Sequence, residues 1–383
     1  MLRTLNTKLV QLFQKFPVVF LTGPRQSGKT TLSKMTFPDL PYVNFEDISV
    51  LEKVKADPHS FLDQYDNGLI IDEAQNMPDI FSYIQVYADQ REKPGQFLLS
   101  GSQNFLLNEH ISQSLAGRIG ILELLPLSYK EIRQEHDFSV SEVLFKGGYP
   151  RIYKYDIDSE DFFPGYLRTY VERDVRSLKN ILSLEAFQRL LILCAGRVGQ
   201  VLNFSSLSND TGLSINTLKS WISILEASYI VYLIHPYFVN INKRLIKAPK
   251  IYFYDTGLLC HLLGIHNEVE LKQHYAYGNI FENFVINEIR KWQLNNGERA
   301  NMYFMRDSRG HEIDCVIPKG NKRLFYEIKA SATFNNDFVK NINYFRENND
   351  GCAVIYQGKE DSQFKGTLLK SIENFLMKES IDQ

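Results

Sequence analysis

No stretch of about 18 apolar residues, the length a helix needs to cross a bilayer, occurs in the 383 residues. That argues against a helical membrane span. Residues 1–16 mix Lys8 and Lys15 with Leu5, Leu9, Leu12, Phe13 and Phe16 at helical spacing, which predicts an amphipathic helix rather than a signal peptide. Cysteine is scarce: the four, Cys194, Cys260, Cys315 and Cys352, stand far apart among apolar neighbours. They spell no metal-ligand pair and no disulfide framework, so reduced core thiols in a cytoplasmic protein are expected, without zinc. A surplus of charge is missing too, the formal net charge being −2. A surface basic all over is excluded, and any contact with nucleic acid must be local.

What is present suffices for several domains, since 44% hydrophobic and 23% charged residues over 383 positions can fill two or three ordinary cores. Near the start, Gly23-Pro24-Arg25-Gln26-Ser27-Gly28-Lys29-Thr30 follows the apolar run Pro17-Val18-Val19-Phe20-Leu21 and precedes the helix-compatible residues Thr31 to Met35. A buried strand that turns through glycine into a helix aims backbone N–H groups and the positive end of the helix dipole at one point, where phosphate oxygens fit. Gly23 and Gly28 permit torsions and close approach that a Cβ would block. Lys29 reaches the outer phosphates, and the Thr30 hydroxyl is placed to ligate Mg²⁺. Pro24, Arg25, Gln26 and Ser27 shape the loop, Gln26 and Ser27 mostly lending amides, and Thr31 extends it into the helix. The reading is a nucleoside triphosphate site.

A second motif, Gly68-Leu69-Ile70-Ile71-Asp72-Glu73-Ala74-Gln75, places two carboxylates where an aliphatic strand leaves the sheet. In an open parallel sheet, ligands bind outside the carboxyl ends of strands, so Asp72 and Lys29 are expected to converge. Asp72 is then the Mg²⁺ partner and Glu73 the base that prepares the attacking water. A third strand candidate, Gln96-Phe97-Leu98-Leu99-Ser100, runs into Gly101-Ser102-Gln103-Asn104; either Ser102 or Gln103 could sense the γ-phosphate, and a plain polar turn is the alternative. Arg118 could stabilise transition-state charge, in its own site or across a subunit boundary, or be an ordinary solvated arginine.

The combination of the 23–31 loop, Asp72-Glu73-Ala74-Gln75, Leu99-Ser100-Gly101-Ser102, Gly117-Arg118, Pro126-Leu127-Ser128-Tyr129 and Gly147-Gly148-Tyr149-Pro150 resembles a prokaryotic family of predicted AAA+ superfamily ATPases with a C-terminal domain of unknown function. The resemblance covers nearly the whole chain. It implies an α/β P-loop NTPase core with an AAA+/RecA-like parallel sheet, ATP and Mg²⁺ as cofactors, and ATP hydrolysis. Its physiological substrate is poorly defined.

Beyond the core (1–125), residues 126–182 read as a helical lid, with Arg173 or Arg176 as a possible second nucleotide sensor. Residues 183–256 read as a winged helix: helices over 204–209 and 214–226 joined by Asp210-Thr211-Gly212, then strands over 229–234 and 251–254. Between those strands lies a run carrying Lys243, Arg244, Lys247 and Lys250, suited to a DNA phosphate backbone. Protein packing is the competing use of such a module.

Residues 257–383 carry the second site. A helix over 279–292 bears Glu282, and the runs His311 to Ile317 and Arg323 to Ala330 read as strands of a hairpin. Symmetry about Lys319-Gly320 would oppose Asp314 to Phe325 and put Asp314, Glu327 and Lys329 on one face. With Glu282 this resembles the PD-(D/E)XK nuclease fold, a restriction-endonuclease-like α/β domain. The resemblance implies Glu282, Asp314 and Glu327 around a divalent metal, with Lys329 steadying developing charge. Glu288 competes with Glu282, because it falls nearer the middle of the apolar stripe. A structural hairpin with a surface Glu/Lys pair is the plain alternative. The expectation is an ATP-hydrolysing AAA+-type protein acting on DNA, nucleotide state gating the C-terminal domain; the alternative is an ATP-dependent switch whose C-terminal domain binds protein partners. An arginine acting in trans would require a homo-oligomer.

Overall fold

The structure is a computed structural model describing residues 1–102, 115–171, 183–238 and 248–378, the side chains of Tyr170 and Val171 excepted. Gln103, Arg173, Arg176, Lys243, Arg244 and Lys247 lie outside the described residues. The chain forms two compact units, one of residues 1–127 with the short pieces 227–229 and 293–298, the other of the remainder.

The first unit is a five-stranded sheet in the order β2-β3-β4-β1-β5, where β1 is Val18–Thr22, β2 Tyr42–Asn44, β3 Leu69–Asp72, β4 Phe97–Gly101 and β5 Ile119–Glu123. Every pairing is parallel. The central strands are apolar on both faces, as a sheet covered on both sides requires. Alternate residues go opposite ways. Val18, Phe20, Ile71 and Leu99 join Ile80, Phe81 and Ile84 of the helix Ile80–Arg91. Val19, Leu21, Ile70 and Leu98 join Leu9 and Phe13 of α1 (Asn6–Phe13) and Leu32 of α2 (Lys29–Thr36). The amphipathic N-terminal helix is thus one wall of this core. All strand carboxyl ends point the same way, to the edge where β1 enters α2. Sequence patterning finds β1, β3 and β4; β2 and β5 are additional.

The second unit begins with four short helices, Tyr129–Arg133, Val140–Lys146, Pro150–Tyr155 and Ser159–Tyr166. The first two start with capping boxes, at Ser128/Glu131 and Ser139/Glu142, which satisfy the orphan amides of helices too short to persist alone. After Leu184–Ala195 come Phe204–Thr211 and Ile215–Ala227, separated by Gly212 at a φ of 72°. A two-stranded antiparallel ribbon follows, β6 (Val231–Ile234) with β7 (Lys250–Phe253). The long helix Tyr277–Asn295 holds this ribbon through buried amides: Asn283 Oδ1 accepts from Phe253 N, Asn283 and Asn287 donate to Phe253 O, and Asn287 Oδ1 accepts from Tyr232 OH.

The last third is a six-stranded mixed sheet, order β12-β13-β11-β10-β9-β8. Its strands are β8 (Tyr303–Arg306), β9 (Glu312–Lys319), β10 (Lys322–Lys329), β11 (Gly351–Tyr356), β12 (Ser362–Phe364) and β13 (Thr367–Ser371). β9 and β10 form the expected hairpin, but Lys319 pairs with Lys322 and Cys315 with Tyr326, so Asp314 comes level with Glu327 rather than Phe325. The tight turn at Gly320, φ 60°, sets this register. The shift is by two residues, so Asp314, Glu327 and Lys329 still share a face.

Candidate functional site

Between β1 and α2 the chain turns through Gly23 (φ 145°), Gln26 (φ 60°) and Gly28 (φ 96°). A Cβ on Gly23 would sit 2.2 Å from Leu124 O, so only glycine fits where β1 passes β5. Lys29 is buried, its Nζ donating to Gly23 O at 2.9 Å and Pro24 O at 2.8 Å. Burial pushes this ammonium down to about 8 against the opposing pull of Glu73 and Asp72. The Ser27 hydroxyl is buried with no hydrogen-bond partner among the described residues. A loop that folds its lysine onto its own carbonyls and leaves a polar atom orphaned is shaped for an anion it can exchange them for.

Asp72 ends β3, 3% exposed, and both carboxylate oxygens are held by donors. Oδ2 accepts from Thr30 Oγ1 at 2.6 Å and from Tyr42 OH at 2.8 Å; Oδ1 accepts from Ser100 Oγ and from Glu73 N at 3.2 Å. Four donors fix one rotamer. Hydroxyl and carboxylate oxygens side by side suit Mg²⁺, which binds through one or two carboxylates and keeps waters. Glu73 takes a left-handed φ of 54°, costly for a side chain with a Cβ. Its Oε2 meets Gln75 Nε2 and, at 3.3 Å, Ser102 Oγ. Lys29, Thr30, Asp72, Glu73 and Ser102 are thus gathered at one strand edge.

Arg118 is not among them. It precedes β5, its carbonyl bonding Val18 N, so it stands at the amino end of the strands, roughly 16 Å of strand from the loop. There it pairs with Asp89. This placement sets it apart from the crevice of its own chain. Tyr42 and Ser100 are the residues sequence reasoning missed as Asp72 partners. A three-residue strand leaves no periodicity to find β2, and Ser100 reads as one more polar strand end.

In the second unit, Asp314, Glu327 and Lys329 come together as the sequence predicts. Lys329 Nζ is 2.8 Å from Glu327 Oε1 and 4.0 Å from Asp314 Oδ2, which also accepts from Ile328 N at 2.8 Å. Burial, with Asp314 nearby, pushes Glu327 up to about 8. Glu327 Oε2 is buried without a partner among the described residues. Glu282 reaches the same region and burial raises it to about 7. No group of three or more His, Cys, Asp or Glu side chains is arranged to hold a metal ion among the described residues. Asp314 and Glu327 stand as a pair beside Lys329, with Glu327 Oε2 left unpartnered among the described residues.

Two expectations are corrected here. Lys250 does not project toward DNA: it is 2% exposed, on β7, bound to Glu282 at 3.3 Å and Glu312 at 2.5 Å. Its neighbours on the strand are apolar and fully buried, which carries the lysine inward with them. Glu288 is not a site residue: Oε2 accepts from Tyr129 N at 2.9 Å and Oε1 from Lys291 at 2.8 Å, so it caps the helix Tyr129–Arg133.

The parallel sheet, the glycine-bent loop and the strand-end carboxylates make the first unit a P-loop nucleotide-binding fold. In agreement, residues 15–133 match the AAA domain family, residues 137–269 a domain of unknown function (DUF8612) and residues 277–375 another (DUF4143). The chain belongs to one family with the uncharacterized protein Rv2008c of Mycobacterium tuberculosis, to which it is 30% identical over 334 residues, 86% of this chain and 74% of that one. It is also 24% identical over 367 residues to the uncharacterized protein MJ1544 of Methanocaldococcus jannaschii, covering 86% and 78%. Among solved structures, a Walker-type ATPase of Pyrococcus abyssi overlays 67% of this chain and 94% of its own at 14% identity, with a TM-score of 0.43.

Proposed function

We propose that this chain binds ATP with Mg²⁺ at residues 23–31, hydrolyses it, and uses nucleotide state to govern a C-terminal nuclease-like domain that acts on DNA. The observation that carries the ATPase reading is the convergence of Lys29, Thr30, Asp72 and Glu73 on one strand edge. Lys29 exchanges its loop carbonyls for phosphate oxygens, and Thr30 and Asp72 hold the metal. Glu73, turned aside by its left-handed backbone and braced by Gln75 and Ser102, orients the water. Mg²⁺ supplies neutralisation of charge on the leaving phosphates.

The reading of the C-terminal domain rests on the Asp314, Glu327 and Lys329 set on one face of a mixed sheet, with Glu282 behind it. Asp314 and Glu327 are the residues that would hold a divalent cation there, whose chemistry would be to polarise a phosphodiester, while Lys329 would steady the developing charge. Residues 126–182 serve as the lid, and residues 183–256, with the helices Phe204–Thr211 and Ile215–Ala227 and the β6–β7 ribbon, as a winged helix. The competing reading, a switch whose C-terminal domain only binds partners, draws support from the finding that no group of three or more His, Cys, Asp or Glu among the described residues is arranged to hold a metal ion.

ATP turnover measured with and without duplex, single-stranded and branched DNA separates the two. Stimulation by DNA supports the first; slow turnover indifferent to DNA, with a stable ATP-bound assembly, supports the second. Glu73→Gln is expected to keep ATP binding and slow hydrolysis, and unchanged turnover removes Glu73 from its role. DNA cutting in Mg²⁺ or Mn²⁺ is expected to disappear in Asp314→Ala and Lys329→Ala.

A further inference from the structure

The residues ahead of α1 reach the phosphate loop through one side chain. Arg3 spreads its guanidinium over two main-chain oxygens far apart in sequence, Nη1 donating to Ser27 O at 2.7 Å and Nη2 to Leu125 O at 2.6 Å. Arginine and acceptors all belong to the first unit. The backbone that carries Arg3 is itself anchored: Arg3 O accepts from Asn6 N, Leu5 and Leu9 sink into the core beside Leu32 of α2, and Thr36 Oγ1, at the far end of α2, donates to Asn6 Oδ1 at 2.6 Å. The segment is thus fastened at both ends of the helix that the loop opens.

What this grip fixes is a peptide plane. Ser27 O and Gly28 N–H lie on opposite edges of one planar trans peptide, so an arginine that holds the oxygen on one side directs the hydrogen to the other. Gly28 N–H donates to no backbone carbonyl among the described residues, whereas Gly28 O is taken by Leu32 N. The amide opposite the held carbonyl is the one left for a ligand. Gly28 has a φ of 96° and no Cβ, so without a hold on Ser27 O the plane could swing over and turn a carbonyl oxygen toward the anion. A phosphate would then meet repulsion in place of a donor. We infer that Arg3 is a positioning residue for the nucleotide site, acting through the Ser27–Gly28 peptide to keep the Gly28 amide aimed at a diphosphate group. This rests on the ATP-binding reading given above. The fork of the guanidinium matters as much as its charge, because two carbonyls are bridged by separate donors in one plane, an arrangement an ammonium does not offer.

The test is titration calorimetry of the full chain in Mg²⁺ with ATP and, separately, with inorganic pyrophosphate, run beside steady-state ATP turnover. Arg3→Ala should weaken both ligands by the same factor, at least about tenfold, and raise KM for ATP as much while kcat stays within about threefold, since the amide is aimed alike before and during reaction. Arg3→Lys keeps the charge and loses the fork. It should also bind at least about fivefold more weakly, and it decides the matter if Arg3→Ala is not native by circular dichroism. In Arg3→Ala, added methylguanidinium should recover at least about threefold in affinity and methylammonium none. Binding within about threefold of wild type in either folded variant, a loss confined to ATP, a fall in kcat at unchanged KM, or equal rescue by methylammonium overturns the inference. A wild-type chain that binds neither ligand overturns the ATP reading itself, and this inference with it.

Discussion

The loop at residues 23–31 and the centre around Asp314 both gather charged side chains at strand edges, yet they neutralise them by different means. The loop is one contiguous segment whose cationic character comes from backbone amides, a helix terminus and Lys29, with Asp72 brought in from a neighbouring strand. The acidic centre draws on β7, the helix Tyr277–Asn295, β9 and β10, and meets its carboxylates with Lys250 and Lys329. The first leaves its charge open to a ligand. The second has spent most of its charge on itself, and only the Asp314–Glu327 side still faces outward in the chemical sense.

The largest expected effect separates the two sites. Lys29→Ala should weaken ATP binding and lower turnover by at least about a hundredfold, the range for deleting one preorganised group at a reacting centre. Lys329→Ala should leave ATP turnover within about twofold while removing DNA cutting, because its partners Asp314 and Glu327 belong to the other site. Equal loss of ATP turnover in both variants would break the separation. Next in size is Lys250→Ala, which strands Glu282 without its counterion and leaves Glu312 to Arg306 alone. Breaking a buried pair from one side costs about 3–5 kcal/mol, readable in urea unfolding. A loss below about 1 kcal/mol would mean that the centre is as solvated as a surface pair.

The same contrast explains what could be read in advance. A phosphate loop is legible because its function is written in consecutive residues: Gly23 and Gly28 for backbone geometry, Lys29 and Thr30 for ligand contact, all between a strand and a helix. The β9–β10 hairpin was legible to within two residues, and its period of two rescued the shared face. Lys250 was misread because four basic residues in a run look like a surface patch, whereas the last of them begins a buried strand. Four strands of the C-terminal sheet, β8, β11, β12 and β13, escaped notice as well. β8, β12 and β13 are five residues or shorter, too short for a clear period, and β11 pairs in parallel with β10 and β13, a pairing that leaves no local trace.

A pH series sharpens the picture of the loop as a site that awaits its charge. Burial holds Lys29 down near 8, with Glu73 and Asp72 pulling the other way, and the anionic tail of ATP would favour the ammonium further. Above pH 8 binding must therefore take up a proton. ATP affinity should be level from pH 7 to 8 and then fall, by up to about tenfold per pH unit. Isothermal titration at pH 7, 8 and 9 checks this; affinity that stays level to pH 9 would show that Lys29 keeps its proton without a nucleotide.

The smallest effect concerns Tyr42, the residue that ties the edge strand β2 to the site. Its hydroxyl shares Asp72 Oδ2 with Thr30 Oγ1, while Ser100 and Glu73 N hold Oδ1. Loss of one of these donors leaves the others in place, so Tyr42→Phe should neither unfold the core nor end ATP binding. A hydrogen bond to a charged acceptor contributes about 1.5–3 kcal/mol at most, and a network with three remaining donors forfeits less. The carboxylate would gain rotational freedom, and Mg²⁺ would have to pin it on binding. The Mg²⁺ concentration for half-maximal turnover should then rise about fivefold, corresponding to about 1 kcal/mol, with the saturated rate changed by less than twofold. A fall in the saturated rate at unchanged Mg²⁺ requirement would instead place Tyr42 on the reacting phosphate, and β2 would count as part of the catalytic edge rather than its brace.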